Sequence, residues 1–92
     1  MINISCKETK KVWHGNYSKR FPAELQEVMR RKLIMLDAAE NLESLNVPPG
    51  NRLEELKGKR KGQFSIRVND KYRVCFRWRE GNAHDVEITD YL

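Results

Sequence analysis

The apolar residues of this chain change their spacing at Pro48-Pro49-Gly50, and that change limits the folds the chain can adopt. From Pro22 to about Leu45, leucine, valine and methionine residues recur at steps of three and four, which is typical of an amphipathic helix. After this boundary, apolar and polar residues alternate, which is typical of strands that bury one face. The sequence therefore predicts an α+β fold in which N-terminal helices cover one face of a small antiparallel β-sheet.

The alternating half of the chain predicts three strands with short links. The first covers 64–68 and the second covers 72–78, each with apolar residues at even positions. The third strand has Val86 and Ile88 on one side and polar residues on the other. Three such strands form a sheet with one apolar face, which the helices must cover.

The loop between the first two strands determines which residues face each other. A three-residue loop, Asn69-Asp70-Lys71, pairs Val68 with Tyr72 and keeps the apolar residues on one face, whereas a two-residue turn would mix the faces. The same register places Arg67 directly opposite Arg73 on the polar face. Like charges repel in such a pair, so the two arginines are a candidate anion site. The alternative is that both side chains extend into solvent.

Size and composition limit the number of domains and the cellular compartment of the protein. Ninety-two residues suffice for one hydrophobic core, so 1–92 are predicted to form a single domain, with a short strand over 1–5 and a short helix over 7–14. Cys6 and Cys75 have no metal-like spacing and lie far apart in sequence, which favours reduced thiols and a cytoplasmic location. The alternative is a single disulfide between them. No apolar run approaches the ~20 residues that span a bilayer, so no membrane partner is predicted.

The net charge of the protein is concentrated in one segment. Residues 52–73 carry eight Lys or Arg against three acids, and the other 70 residues carry ten of each sign. This concentration indicates a surface for polyanions. The alternative is that the net charge serves only to keep the protein in solution. The cations of this segment that we assign to RNA-backbone contacts are Arg52, Lys59, Arg60, Lys61 and Lys71.

Groups that could transfer protons occur near the arginine pair. Glu54 and Lys57 lie three residues apart and could supply a base and an acid, and Tyr91 lies on the polar side of the last strand. Cleavage of RNA by its own 2′-hydroxyl needs a base, an acid and cations, and no cofactor. The sequence contains no metal-ligand cluster, which argues against a two-metal nuclease. The alternative for Glu54 is a solvated edge strand or turn.

Several blocks resemble the HigB toxins of the RelE/ParE superfamily. They are L-x-x-L-K-G at 53–58, S-I-R-V-N-D-x-Y-R-V-x-F at 65–76, and the terminal Asp90-Tyr91, and the resemblance spans nearly the whole chain. It implies a RelE-like α+β fold and a toxin that is a ribosome-dependent mRNA endoribonuclease. It also implies neutralisation by a helix-turn-helix antitoxin of the HigA type, with operator DNA bound only through the antitoxin complex.

The resemblance also implies roles for individual residues. Arg67 and Arg73 would contact the phosphate and its transition state, and Asp90 with Tyr91 would belong to the C-terminal part of the active site. Lys57 matches a position that is basic in some relatives.

The chain departs from the family pattern at two positions. Glu54 and Leu92 stand where some relatives have histidines, which removes the most obvious acid/base pair. Glu54 can still serve as a base, and Tyr91 can take the other role.

Two alternatives belong to other functional classes. The first is a ParE-like toxin, which shares the fold but inhibits DNA gyrase without cutting RNA. The second is a non-catalytic nucleic-acid-binding regulatory module that uses the basic segment only to bind phosphates.

Overall fold

The computed structural model describes residues 2–90, which form two α-helices and a four-stranded antiparallel sheet. The helices are α1 (Lys7–Trp13) and α2 (Ala23–Ala38). The strands, in their spatial order, are β1 (Glu54–Glu55), β2 (Phe64–Arg67), β3 (Tyr72–Arg79) and β4 (Asn82–Asp90). The predicted α+β fold, with N-terminal helices on one face of a small sheet, is confirmed. No helix within 2–90 is long and apolar enough to cross a bilayer.

One hydrophobic core joins the helices to the sheet. Helix α2 contributes Met29, Leu33 and Leu36, all essentially buried. The even positions of the strands face them, as the alternation predicts. These buried strand residues are Ile66, Val74, Phe76, Val86 and Ile88.

Helix α2 is shorter than the apolar spacing predicts, because the chain changes direction after Ala38. The side chain of Asn41 accepts a hydrogen bond from the backbone N–H of Ser44 at 2.9 Å and caps a separate 3₁₀ turn, Leu42–Asn46. Leu45 is still completely buried in the core. The spacing thus identified a core residue correctly and the helix end wrongly.

The N-terminal segment covers the outer edge of β4. The strand predicted over 1–5 is reduced to a single parallel bridge between Ile4 and Val86. On the same strand, the backbone N–H of Ile88 donates to the buried hydroxyl of Thr9 at 3.0 Å. These contacts satisfy hydrogen-bonding groups that an edge strand would otherwise expose.

The hairpin of β2 and β3 has the predicted register. Phe64 pairs with Phe76 on the apolar side, and Arg67 pairs with Arg73 on the other. In the loop, the side chain of Asn69 accepts hydrogen bonds from the backbone N–H groups of Lys71 at 2.9 Å and Tyr72 at 2.7 Å. This local bonding by an asparagine side chain stabilises the three-residue loop.

The sheet has one strand more than the sequence predicts. Glu54 and Glu55 pair with Ser65 and Phe64 of β2 and form the two-residue strand β1. Two residues are too few to produce a visible alternation, so the sequence pattern could not reveal this strand.

Candidate active-site cleft

A cleft of about 290 Å³ lies beside the loop of the β2–β3 hairpin. Four basic and two acidic side chains line it together with one amide, which gives the lining a net charge of +2. Five of the six charged residues belong to the predicted site. The lining consists of Arg52, Glu54, Arg67, Asn69, Asp70, Lys71 and Arg73.

Arg73 is the most enclosed of the charged side chains for which an ion pair is found in this cleft, with 14% of its side chain exposed. Its Nε donates a hydrogen bond to the hydroxyl of Ser65 at 2.8 Å, and its Nη2 donates to the backbone carbonyl of Arg52 at 2.7 Å. The same Nη2 lies 3.8 Å from the carboxylate of Glu54. The guanidinium is therefore fixed against β1 and β2.

Arg67 is opposite Arg73 and has an acid of its own. Its Nη2 forms an ion pair with Asp70, whose side chain is 98% exposed. Lys71, in the same loop, lies 3.7 Å from the carboxylate of Asp90 at the end of β4. Each of these cations thus faces a carboxylate that an incoming phosphate could replace.

Glu54 lies on an edge strand, as the non-catalytic interpretation of the sequence predicted. Its side chain is 55% exposed, yet it also lines the cleft and lies beside Arg73. Its neighbour Glu55 is exposed outside the cleft lining. The short strand therefore brings one carboxylate, in a solvent-accessible position, to the arginine pair.

The remaining predicted cations lie outside the cleft lining. Lys57, predicted as a catalytic acid, is exposed on the segment between β1 and β2, as are Lys59 and Lys61, which were predicted to bind RNA. Arg60 differs from them because its Nη1 donates to Glu87 on β4 at 2.8 Å and to Gln63 at 3.1 Å. Arg60 thus joins the loop to the sheet, a contact that the sequence did not indicate.

Tyr91 lies outside the described residues. The structure describes its neighbour Asp90, which ends β4 and pairs with Tyr72 in the register. One residue earlier, Thr89 pairs with Arg73, so the end of β4 runs beside the cleft.

Sequence reasoning missed the polar residues behind the arginine pair. Ser65 is completely buried and receives Arg73, and its place two residues before Arg67, on the same face, could have revealed it. Asn51 is also completely buried and accepts a hydrogen bond from Lys32 of α2. Burial, with the charge of Arg67 nearby, lowers the pKa of Lys32.

Cys75 lies beneath the polar face and is completely buried. Burial disfavours the thiolate and raises the pKa of Cys75 to about 11, so the group is an uncharged thiol at neutral pH. This makes it a poor nucleophile. Within residues 2–90, no three His, Cys, Asp or Glu side chains group as a metal site would require.

Comparison of sequences identifies a family. The family described as the RelE-like toxin of the type II toxin-antitoxin system HigB matches residues 7–92. Toxin HigB-1 of Vibrio cholerae serotype O1 is 48% identical over 62 residues, which are 67% of this chain. The match covers 65% of that toxin, slightly less than two thirds of its length.

Solved structures share the fold at low sequence identity. A YafQ mutant from E. coli superposes with a TM-score of 0.62 at 13% identity, over 98% of this chain and 91% of that one. In a heterotetrameric YoeB-YefM toxin-antitoxin complex from Staphylococcus aureus, the matching chain has a TM-score of 0.59 at 17% identity. That match covers 100% of this chain and 95% of the other.

Proposed function

The chain belongs to the HigB-like family of RelE-like type II toxins, and from that premise we propose that it is a ribosome-dependent endoribonuclease that cuts mRNA. The observation that carries the proposal is the pairing of Arg67 with Arg73 across β2 and β3, with Glu54 lying 3.8 Å from Arg73. The two arginines form a cationic binding site for a phosphodiester, and the carboxylate of Glu54 lies beside it. Cleavage by the 2′-hydroxyl of RNA requires both.

In the proposed reaction, Glu54 takes the proton from the 2′-hydroxyl of the nucleotide bound in the cleft. The 2′-oxygen then attacks the adjacent phosphorus, and the bond from phosphorus to the 5′-oxygen breaks. The products are one RNA with a 2′,3′-cyclic phosphate and one with a 5′-hydroxyl. The need for a 2′-hydroxyl restricts the reaction to RNA.

The guanidiniums stabilise the negative charge that develops on the phosphorane. Arg73 is fixed by its hydrogen bonds, so its charge needs little rearrangement in the transition state. Arg67 exchanges Asp70 for a phosphate oxygen when RNA binds. We assign the proton for the departing 5′-oxygen to Tyr91, from its place directly after Asp90 in the sequence.

The cations outside the cleft act in binding rather than in chemistry, and these include Lys57, for which the sequence suggested the role of a catalytic acid. Lys57, Lys59 and Lys61 are exposed along one segment and would contact the backbone of mRNA or ribosomal RNA. Arg52 and Lys71 line the cleft and would hold the phosphates next to the cut. Arg60 is bonded to Glu87 and Gln63, so its main role is to hold the loop against the sheet.

The proposed partners follow from membership of a toxin-antitoxin family. The chain would act in the cytoplasm as a single domain and be neutralised by a helix-turn-helix antitoxin of the HigA type. Operator DNA would be bound only through that complex. The solved YoeB-YefM complex of Staphylococcus aureus supports the general expectation of an antitoxin partner.

The proposal is tested by mapping mRNA 5′ ends after a short pulse of expression. Wild type is compared with Arg73→Ala and with Arg31→Ala, a control that removes an exposed arginine of α2 paired with Glu27. New ends within translated codons are expected for wild type and Arg31→Ala and not for Arg73→Ala. Growth arrest without such ends would contradict the proposal and favour a target such as gyrase.

A further inference from the structure

The guanidinium of Arg73 is held from two sides by groups to which no part in the reaction has been given. We propose that Ser65 and Asn51 are positioning residues, which orient Arg73 so that its remaining N–H groups meet the scissile phosphate. Ser65 acts directly, and Asn51 acts through the backbone of Arg52. The inference rests on the proposed function for its catalytic consequence but not for its geometry.

Ser65 provides the first support. It lies on β2 opposite Cys75, two residue pairs along the hairpin from the Arg67–Arg73 pair, and is completely buried. Its hydroxyl oxygen accepts the hydrogen bond from Arg73 Nε at 2.8 Å. Because burial and strand pairing fix Ser65, this bond fixes the direction from which the guanidinium enters the cleft.

The second support is the carbonyl of Arg52, which accepts from Arg73 Nη2 at 2.7 Å. Arg52 has a left-handed backbone with φ of 45°, a conformation that a non-glycine residue adopts only when its surroundings hold it. Its backbone N–H donates to the carbonyl of Pro49 at 3.1 Å. The preceding residue, Asn51, anchors this turn to the core.

Asn51 makes contacts in several directions from a completely buried position. Its amide donates to the carbonyl of Leu45 at 3.1 Å and to the sulfur of Met35 at 3.0 Å, and its oxygen accepts from Lys32. These bonds join helix α2 to the turn that carries the Arg52 carbonyl. A shift of Asn51 would therefore move one of the two supports of Arg73.

These two supports orient the guanidinium of Arg73 before RNA binds. A guanidinium has five N–H groups, and the bonds to Ser65 and Arg52 use two of those of Arg73. Within residues 2–90, the one further polar contact found for this guanidinium is the Glu54 carboxylate, 3.8 Å from Nη2. The other three N–H groups are thus available to a phosphate without reorganisation of the side chain, which is the condition for strong transition-state stabilisation.

The test compares Ser65→Ala with Ser18→Ala. Ser18 is equally buried and also bonds through its hydroxyl, to Glu8 at 2.7 Å, but it lies outside the cleft lining. Solvent exchange of the Arg73 Nε–H is measured by NMR, and kcat and KM are measured with ribosomes carrying a defined mRNA. If Ser65→Ala does not fold, Ser65→Cys replaces it, because a thiol keeps the size but accepts hydrogen bonds weakly.

For Ser65→Ala we expect fast exchange at Arg73 Nε and a kcat about 10- to 100-fold lower, with KM changed less than about three-fold. Ser18→Ala should keep both properties of the wild type. Slow exchange in Ser65→Ala, or fast exchange with an unchanged kcat, would overturn the inference. A wild type that never cleaves RNA would contradict the proposed function instead, and the exchange data alone would then decide whether Ser65 positions Arg73.

Discussion

Arg67 and Arg73 lie directly opposite each other in the β2–β3 pair, and each has a carboxylate beside it. Two like charges in a cross-strand pair cost a few tenths of a kcal/mol or more when nothing offsets them. Asp70 offsets the charge of Arg67, and Glu54 offsets that of Arg73. In the free protein, these carboxylates therefore reduce the repulsion between the two arginines. In a complex with RNA, phosphate groups would take that role.

Replacing Asp70 with asparagine should strengthen RNA binding. The change removes the acid that competes with phosphate for Arg67, and because Asp70 is almost fully exposed the effect should be modest, about two- to five-fold in Kd. Fluorescence anisotropy with a short RNA at low salt measures it. Asp85→Asn is the matched control, since Asp85 also faces an arginine, Arg77, at 3.5 Å, but outside the cleft. An equal gain in that control would assign the effect to net charge.

Replacing Glu54 with glutamine should remove cleavage without weakening RNA binding. The amide cannot accept the 2′-hydroxyl proton, so the rate should fall about 10²- to 10⁴-fold. Loss of a negative charge beside Arg73 should leave the affinity equal or slightly higher. Glu55→Gln, on the same two-residue strand but outside the cleft lining, controls for charge and for strand stability. A Glu54→Gln protein that cuts at the wild-type rate would exclude Glu54 as the base.

Ionisation of Cys75 should lower stability at high pH. Its pKa is raised from 9.0 to about 11 in the folded protein, so the thiol stabilises the fold fully below pH 9 and this contribution is lost as the pH rises through about 11. At about 1.4 kcal/mol per pKa unit, the loss reaches up to about 3 kcal/mol. Chemical denaturation from pH 8 to 11 should show a steeper decline for wild type and Cys6→Ala than for Cys75→Ala. Parallel declines in all three proteins would show that folding does not raise the pKa of Cys75.

The hairpin could be predicted from the sequence because its alternation and its loop agree. A loop over 69–71 keeps the apolar residues on one face and a two-residue turn does not, so the Arg67–Arg73 pair followed from the positions of Val68 and Tyr72. The buried positions of α2 followed from spacing for the same reason. Patterns of this kind record which side of an element is buried, and they do so whatever the neighbouring elements are.

The remaining features depend on contacts between distant residues. The predicted end of α2 was wrong, because Asn41 caps a new turn while the apolar spacing continues to Leu45. The assignment of Arg60 to RNA stays a prediction, but its ion pair with Glu87, 27 positions away in sequence, could not be foreseen. The position of Asn51 under Arg52 likewise depends on helix α2, and no local sequence pattern predicts it.

The most direct test of the central claim is the chemistry of the RNA ends that the purified protein produces on programmed ribosomes. Wild type should cut the mRNA, yielding a 2′,3′-cyclic phosphate upstream and a 5′-hydroxyl downstream that is ligated only after phosphorylation. Arg73→Ala should lose this cleavage while its thermal unfolding stays cooperative, and Arg31→Ala should retain it. Ends with a 5′-phosphate, equal cleavage by a folded Arg73→Ala protein, or intact mRNA with wild type would contradict the account.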